Sequence, residues 1–266
     1  MKDTCPDLLA EYRELAALAD SLTPQQWQQR SEFYGWTPWD EVAHLCYFDD
    51  TALLSATDPE AFARDAAALM ARLAQGEEIS AIARSAYGHL TGPALVAHWR
   101  VRHERLVEVL AGLDPKARLA WYGPPMSARS FATARLMETW AHGQDVWDVV
   151  RRRRPATPRL KHIAHIGVTT FGWTFINRKL PVPQGAPRVE LLGPDEETWT
   201  WGDASDMDFV RGSAEDFCLL VTQRRHLDDT ALQYSAGAVQ RWLAMAQCFA
   251  GPPVDGPAPG VRVVRY

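Results

Sequence analysis

Apolar positions recur at helical spacing through the first 150 residues. Leu8, Leu9, Tyr12, Leu15, Leu18 and Ala19 predict a helix over about 6–22. Thr23-Pro24 opens a short segment around Trp27. Thr37-Pro38 opens a longer helix: Thr37 suits the N-cap, Pro38 the first helical position and Asp40 the third, a variant of the capping box. That helix carries His44 and runs to about Ala56. Asp58-Pro59 repeats the start signal, and Phe62, Ala66, Leu69, Met70 and Leu73 supply an apolar face ending near Gly76. A short helix over 79–86 and a long one over 92–110 follow, the latter buried through Leu95, Trp99, Leu106, Val109 and Leu110. A Pro- and Gly-rich loop at 112–127 leads into a helix over 127–152.

Past Pro158 the pattern changes. Ile163, Ile166, Val168, Phe171, Phe175 and Ile176 still predict helix over 160–180. Beyond Pro181-Val182-Pro183 the period shortens to two. Val189 and Leu191, then Trp199 and Trp201, flank Gly193-Pro194-Asp195, which is a hairpin signal. Helices over 213–223 and 236–249, a Pro/Gly linker at 251–260 and a strand-like VRVVRY complete the chain. The expectation is a mainly α protein: a helical bundle over residues 1–157, then a small α+β domain over 158–266.

Composition narrows the function classes. Of 266 residues, 47% are hydrophobic and 23% charged, enough for a sizeable core. Eleven tryptophans favour aromatic-lined cavities. The net charge of −5 argues against a nucleic-acid partner, and no apolar run reaches the roughly 18 residues of a membrane span. No basic segment followed by an apolar run marks a secretory signal. Cys5, Cys46, Cys218 and Cys248 form no C-x-x-C pair and read as reduced thiols of a cytoplasmic protein. Arg151 to Arg154 reads as a solvated helix end that complements the helix dipole.

The chemistry concentrates in RLMETWAHGQDVWD, residues 135–148. At roughly 100° per residue, Glu138 and His142 lie about 40° apart and Asp145 returns to within about 20° of Glu138. One imidazole and two carboxylates therefore share a stripe, beside an apolar stripe of Leu136, Trp140, Gly143, Trp147 and Val150. A catalytic zinc commonly takes three protein ligands and leaves a fourth position open. Glu138 and His142 supply two, and His44 is the best third candidate. Asp145 is expected to orient His142 from outside, with Asp40 one turn before His44 and Asp49 nearby. His162 with His165 forms a competing pair, whereas His98 and His103 diverge around their helix. No G-x-S-x-G elbow, phosphate loop or dinucleotide fingerprint appears.

GWTPWDEVAHL, followed about 90 residues later by ARLMETWAHGQDVWD, resembles the DinB-like metal-binding bundle family, in its mycothiol-dependent maleylpyruvate isomerase branch. The resemblance implies a four-helix bundle that holds a divalent metal, most often zinc, through His44, Glu138 and His142. It also implies a small C-terminal domain similar to sterol-carrier folds, and mycothiol as co-substrate. A metal-bound thiol is deprotonated, and the thiolate is the nucleophile. It either adds to an activated cis double bond, which rotates and eliminates to the trans product, or transfers onto an electrophile. Family isomerases use a C-terminal-domain arginine, for which Arg224 or Arg225 is the nearest match here, suited to a substrate carboxylate. Arg135 is expected to contact the thiol or a ligand carboxylate, and Trp36 and Trp39 to line the pocket.

The leading expectation is a metal-dependent enzyme that activates mycothiol for addition or S-transfer. A cis–trans isomerase of a maleylpyruvate-like acid, a non-catalytic metal- or ligand-binding protein and a metal-dependent hydrolase stand as alternatives. A small-molecule thiol and an electrophile are the expected partners, and a homodimer is the assembly to test.

Overall fold

The computed structural model describes residues 1–264 and divides into two compact units, the first Met1–Arg152 and the second beginning at Arg153. The break falls inside the arginine run rather than at residue 157.

The first unit is built on α1 (Thr4–Asp20), α2 (Pro38–Thr57), α5 (Gly92–Ala111) and α6 (Ala128–Val150). Both α1 and α2 pack against both α5 and α6, which makes a four-helix bundle. α3 (Pro59–Ala74) and α4 (Ile79–Tyr87) pack on the outside of α2. The start signals act as the sequence implies. Thr37 Oγ1 accepts from the Asp40 N–H while the Asp40 carboxylate accepts from the Thr37 N–H, a complete capping box. Asp58 caps α3 through the Ala61 N–H, and Ser127 caps α6 through the Ser130 N–H. α6 is buried on most sides, not along one stripe alone. It ends where Arg151 turns left-handed at φ 52°. The loop before it holds a small ladder, β1 (Arg118–Leu119) with β2 (Met126–Ser127), that the sequence pattern does not announce.

In the second unit the expected single helix over 160–180 is two, α7 (Leu160–Thr169) and α8 (Phe171–Asn177). The expected hairpin is present: β3 (Arg188–Leu192) pairs antiparallel with β4 (Thr198–Trp201), Val189 opposite Trp201 and Leu191 opposite Trp199. Its other neighbour, β5 (Phe209–Ser213), runs parallel to β3 and feeds α9 (Ala214–Val221). β6 (Gln233–Tyr234) closes a sheet of order β4-β3-β5-β6. α9 packs on α7 and on the sheet. α10 spans only Ala238–Ala244, shorter than the expected 236–249. The strand expected at VRVVRY does not form over residues 261–264, where the chain turns; its last two residues lie outside the described ones. Among the described residues, no helix is long and apolar enough to cross a membrane.

Candidate metal centre

Three side chains from two neighbouring helices converge. His44 of α2 and Glu138 and His142 of α6 each offer one ligand atom within 4.8 Å of the others. The His44 and His142 rings lie 4.3 Å apart, and Glu138 Oε2 is 3.4 Å from His142 Nε2. His142 is buried, whereas His44 and Glu138 are half-buried, so the cluster is reached from their side. Two imidazoles and one carboxylate are the borderline donor set of a catalytic zinc-type site.

The walls come from the segment before α2. Tyr34 and Gly35 both take left-handed conformations, at φ 50° and 69°, and turn the chain sharply. The turn is closed by Trp36 N–H donating to Phe33 O and Ser31 N–H to Trp36 O. Trp36 then stacks on His142 at 5.9 Å and 11° and tilts against His44 at 5.2 Å. Phe33 meets the His142 ring edge-on at 5.4 Å. Phe48 packs against His44 at 4.7 Å.

Several expected neighbours do other work. The second oxygen of Asp40 accepts from Thr37 and from Arg84, so Asp40 belongs to the cap and not to the cluster. Trp39 donates its indole N–H to Leu90 O and carries Arg84 over its ring. Arg135 is buried and donates from Nε to Asp49 Oδ1 at 2.9 Å. Tyr12 and Trp99 donate to the same Asp49 carboxylate, at 2.6 and 2.7 Å. Burial pushes the Asp49 carboxyl up, against the opposing pull of Arg135 and the hydrogen bonds. The Arg135 charge attracts the Glu138 carboxylate from a buried position and does not face solvent.

Glu41 is the residue that the sequence reading passed over. Its Oε2 lies 2.7 Å from His142 Nδ1, in full burial. Asp145 shares that neighbourhood, one of its oxygens within 4.8 Å of the Glu41 and His142 atoms. The signal was present, because Glu41 is three residues before His44 on the same helical face, but an acid in a first helical turn ordinarily reads as a dipole partner.

The other histidines separate. His165 is exposed and accepts from Trp201, so the His162/His165 pair shows no convergent cluster among the described residues. His103 is buried against Tyr12 and Trp99. A second trio, Cys46, Asp50 and His98, is already satisfied: Arg102 and Tyr87 both donate to Asp50. In the second unit, Arg224 donates to Thr222 O and Arg225 to Arg224 O, both largely buried. Arg225 also lines a cavity of about 280 Å³ with His226, Asp255 and apolar side chains of α9 and α10.

The model of the mycothiol maleylpyruvate isomerase N-terminal domain matches residues 8–147, more than half of the chain. The chain belongs to that family. An uncharacterized protein found in two strains of Mycobacterium tuberculosis is 45% identical over 251 residues, covering 94% of this chain and 96% of its own. Two crystal structures, of mycothiol-dependent maleylpyruvate isomerase and of a histidine-to-alanine mutant of it, superpose with a TM-score of 0.51. Their identities are 15% and 16%, over 82% of this chain and 87% of theirs, which establishes the shared fold. All three members of the His44, Glu138, His142 cluster lie within the stretch that carries the family match.

Proposed function

We propose that this member of the mycothiol maleylpyruvate isomerase family is a thiol-dependent cis–trans isomerase of a small unsaturated acid. The observation that carries the reading is the convergence of His44, Glu138 and His142 on one half-buried site within the family's own domain. The family match and the names of both solved neighbours favour isomerisation over the S-transfer reading.

His44, Glu138 and His142 would hold a divalent metal, with zinc the best fit to the donor set. A metal held by these three residues would supply the acidity that lowers the pKa of a mycothiol thiol brought to the site. The chain supplies the rest. Trp36 and Phe33 wall the His142 side of the site and hold its imidazole in place. Buried Arg135, paired with Asp49, attracts the Glu138 carboxylate. Arg224 or Arg225 is assigned to the substrate carboxylate. Reversible addition of the thiolate to the double bond and its elimination return the thiol unchanged. Four buried cysteine thiols suit a cytoplasmic enzyme.

The test is titration of zinc and then mycothiol into the protein, followed by a maleylpyruvate isomerisation assay. One zinc per chain, mycothiol binding with proton release, and loss of both in His142→Ala are expected. Zinc binding without any thiol binding would overturn the proposal and leave a hydrolytic or non-catalytic site. Thiol binding with turnover of electrophiles but no isomerisation would return S-transfer as the activity.

A further inference from the structure

The metal cluster holds one imidazole between two carboxylates at unequal distances. His142 Nδ1 is 2.7 Å from Glu41 Oε2, and Nε2 is 3.4 Å from Glu138 Oε2. The near carboxylate is fully buried, whereas Glu138 retains solvent contact. The imidazole is also held flat between Trp36 on its face and Phe33 at its edge.

We propose that Glu41 is the positioning residue of the metal centre. Its carboxylate accepts the His142 Nδ1 proton, which fixes the tautomer and turns the Nε2 lone pair toward Glu138 and His44. The inference rests on the proposed metal site and adds to it a residue outside the expected ligand and outer set. The chemistry is general: a ligating histidine donates its second N–H to an outer carboxylate, which sets ring orientation and raises ligand basicity.

The architecture explains why Glu41 can do this. Glu41 and His44 lie three apart on one face of α2, so a single helix provides one ligand and the support for another on α6. Glu41 sits one turn inside the capped start of α2, and its N–H donates to Thr37 O at 3.1 Å. Its backbone is therefore fixed before its side chain reaches across to α6. Asp145, one turn beyond His142 on α6 itself, brings a second carboxylate within 4.8 Å of the same Glu41 and His142 atoms.

The experiment compares zinc dissociation constants of the full-length wild type, Glu41→Gln and Glu41→Leu by chelator competition, with apo-protein melting recorded alongside. Glu41→Leu is expected to weaken zinc binding about 10- to 100-fold. Glu41→Gln, whose amide oxygen still accepts the Nδ1 proton, is expected to recover most of that loss. Should the leucine variant not fold, nitrogen NMR of the zinc-loaded wild type replaces it. Metal on His142 Nε2 with an exchange-protected Nδ1–H, shifted in Glu41→Gln, supports the assignment. Wild-type affinity in Glu41→Leu, or metal on Nδ1, overturns it while leaving the metal site intact. A wild type that binds no zinc overturns both readings together.

Discussion

At the scale of single residues, the bundle interior is organised by buried charge. Asp49 and Arg135 are both almost fully buried and pair with each other, and Tyr12 and Trp99 also donate to the Asp49 carboxylate. Removing one partner of such a pair costs about 3–5 kcal/mol, whereas replacing both by apolar groups is often close to neutral. Asp49→Asn should therefore lower the unfolding free energy by several kcal/mol in a denaturant titration, and adding Arg135→Met should restore much of it. Failure of the second change to rescue would mean that Arg135 is held by other groups. His103, stacked on Tyr12 at 4.5 Å, has its pKa lowered to about 4, chiefly by burial, which outweighs the opposing pull of Glu104, with smaller lowering from Arg100 and Arg13. The unfolded chain takes up a proton on this side chain below about pH 6.5, while the folded chain stays neutral until about pH 4. Stability from this group is thus present above pH 6.5 and lost as pH falls toward 4, by up to roughly 3 kcal/mol. His103→Phe keeps the stack and removes the titration. Denaturation at pH 7 and pH 4.5 should show the wild type losing roughly 2–3 kcal/mol more than the variant. Neither role was legible in the sequence, where Asp49 was named only as a neighbour of the candidate metal ligands and His103 only as diverging from His98. Burial and partners from other helices give them their chemistry.

At the scale of elements, the helices declared themselves where a local signal sets them. The Thr37, Asp58 and Ser127 caps each satisfy an otherwise orphaned N–H, and the apolar faces of α1 and α5 follow the 3.6-residue period. Thr37→Ala should cost about 1 kcal/mol of stability. Because the same turn fixes Glu41, it should also weaken zinc binding measurably, and an unchanged zinc constant would separate the cap from the site. Elements defined by their partners stayed hidden. β5 has only Phe209 and Val210 as an apolar signal, and its strand state comes from the parallel ladder with β3. The helical pattern over 160–180 runs on past residue 170, where the folded chain divides into α7 and α8. In α7, Gly167 allows close approach: a Cβ there would lie 2.9 Å from Phe217 and Val221 of α9. Gly167→Ala should destabilise the second unit by roughly 1–3 kcal/mol through overpacking, visible as a lowered melting temperature with zinc affinity unchanged.

At the scale of the whole molecule, the candidate chemistry is divided between two units. His44, Glu138, His142 and Glu41 all lie in the first, whereas Arg224 and Arg225 lie in the second, where they hydrogen-bond to backbone carbonyls. Helical spacing alone pairs Glu138 with His142 on α6, whereas the choice of His44, on another helix, rested on the family resemblance. The role of the arginines rests on family analogy, since no local pattern separates a buried structural arginine from a substrate-binding one. The two groups therefore make different predictions. A ligand that binds only the folded state stabilises it by RT ln(1 + [L]/Kd), about 4 kcal/mol at a thousand times Kd. Zinc should deliver that stabilisation where its ligands are. Hydrogen exchange should slow on α2 and α6 when zinc is added and change far less on β3, β5 and α9. Arg224→Ala and Arg225→Ala should leave this zinc-induced protection in place, since neither contributes a ligand. If one of them holds the substrate carboxylate, its replacement should raise the KM for the unsaturated acid at least tenfold while mycothiol binding stays within about twofold of wild type. An arginine that serves only its own fold would instead lower the melting temperature and leave the KM of the remaining folded enzyme unchanged.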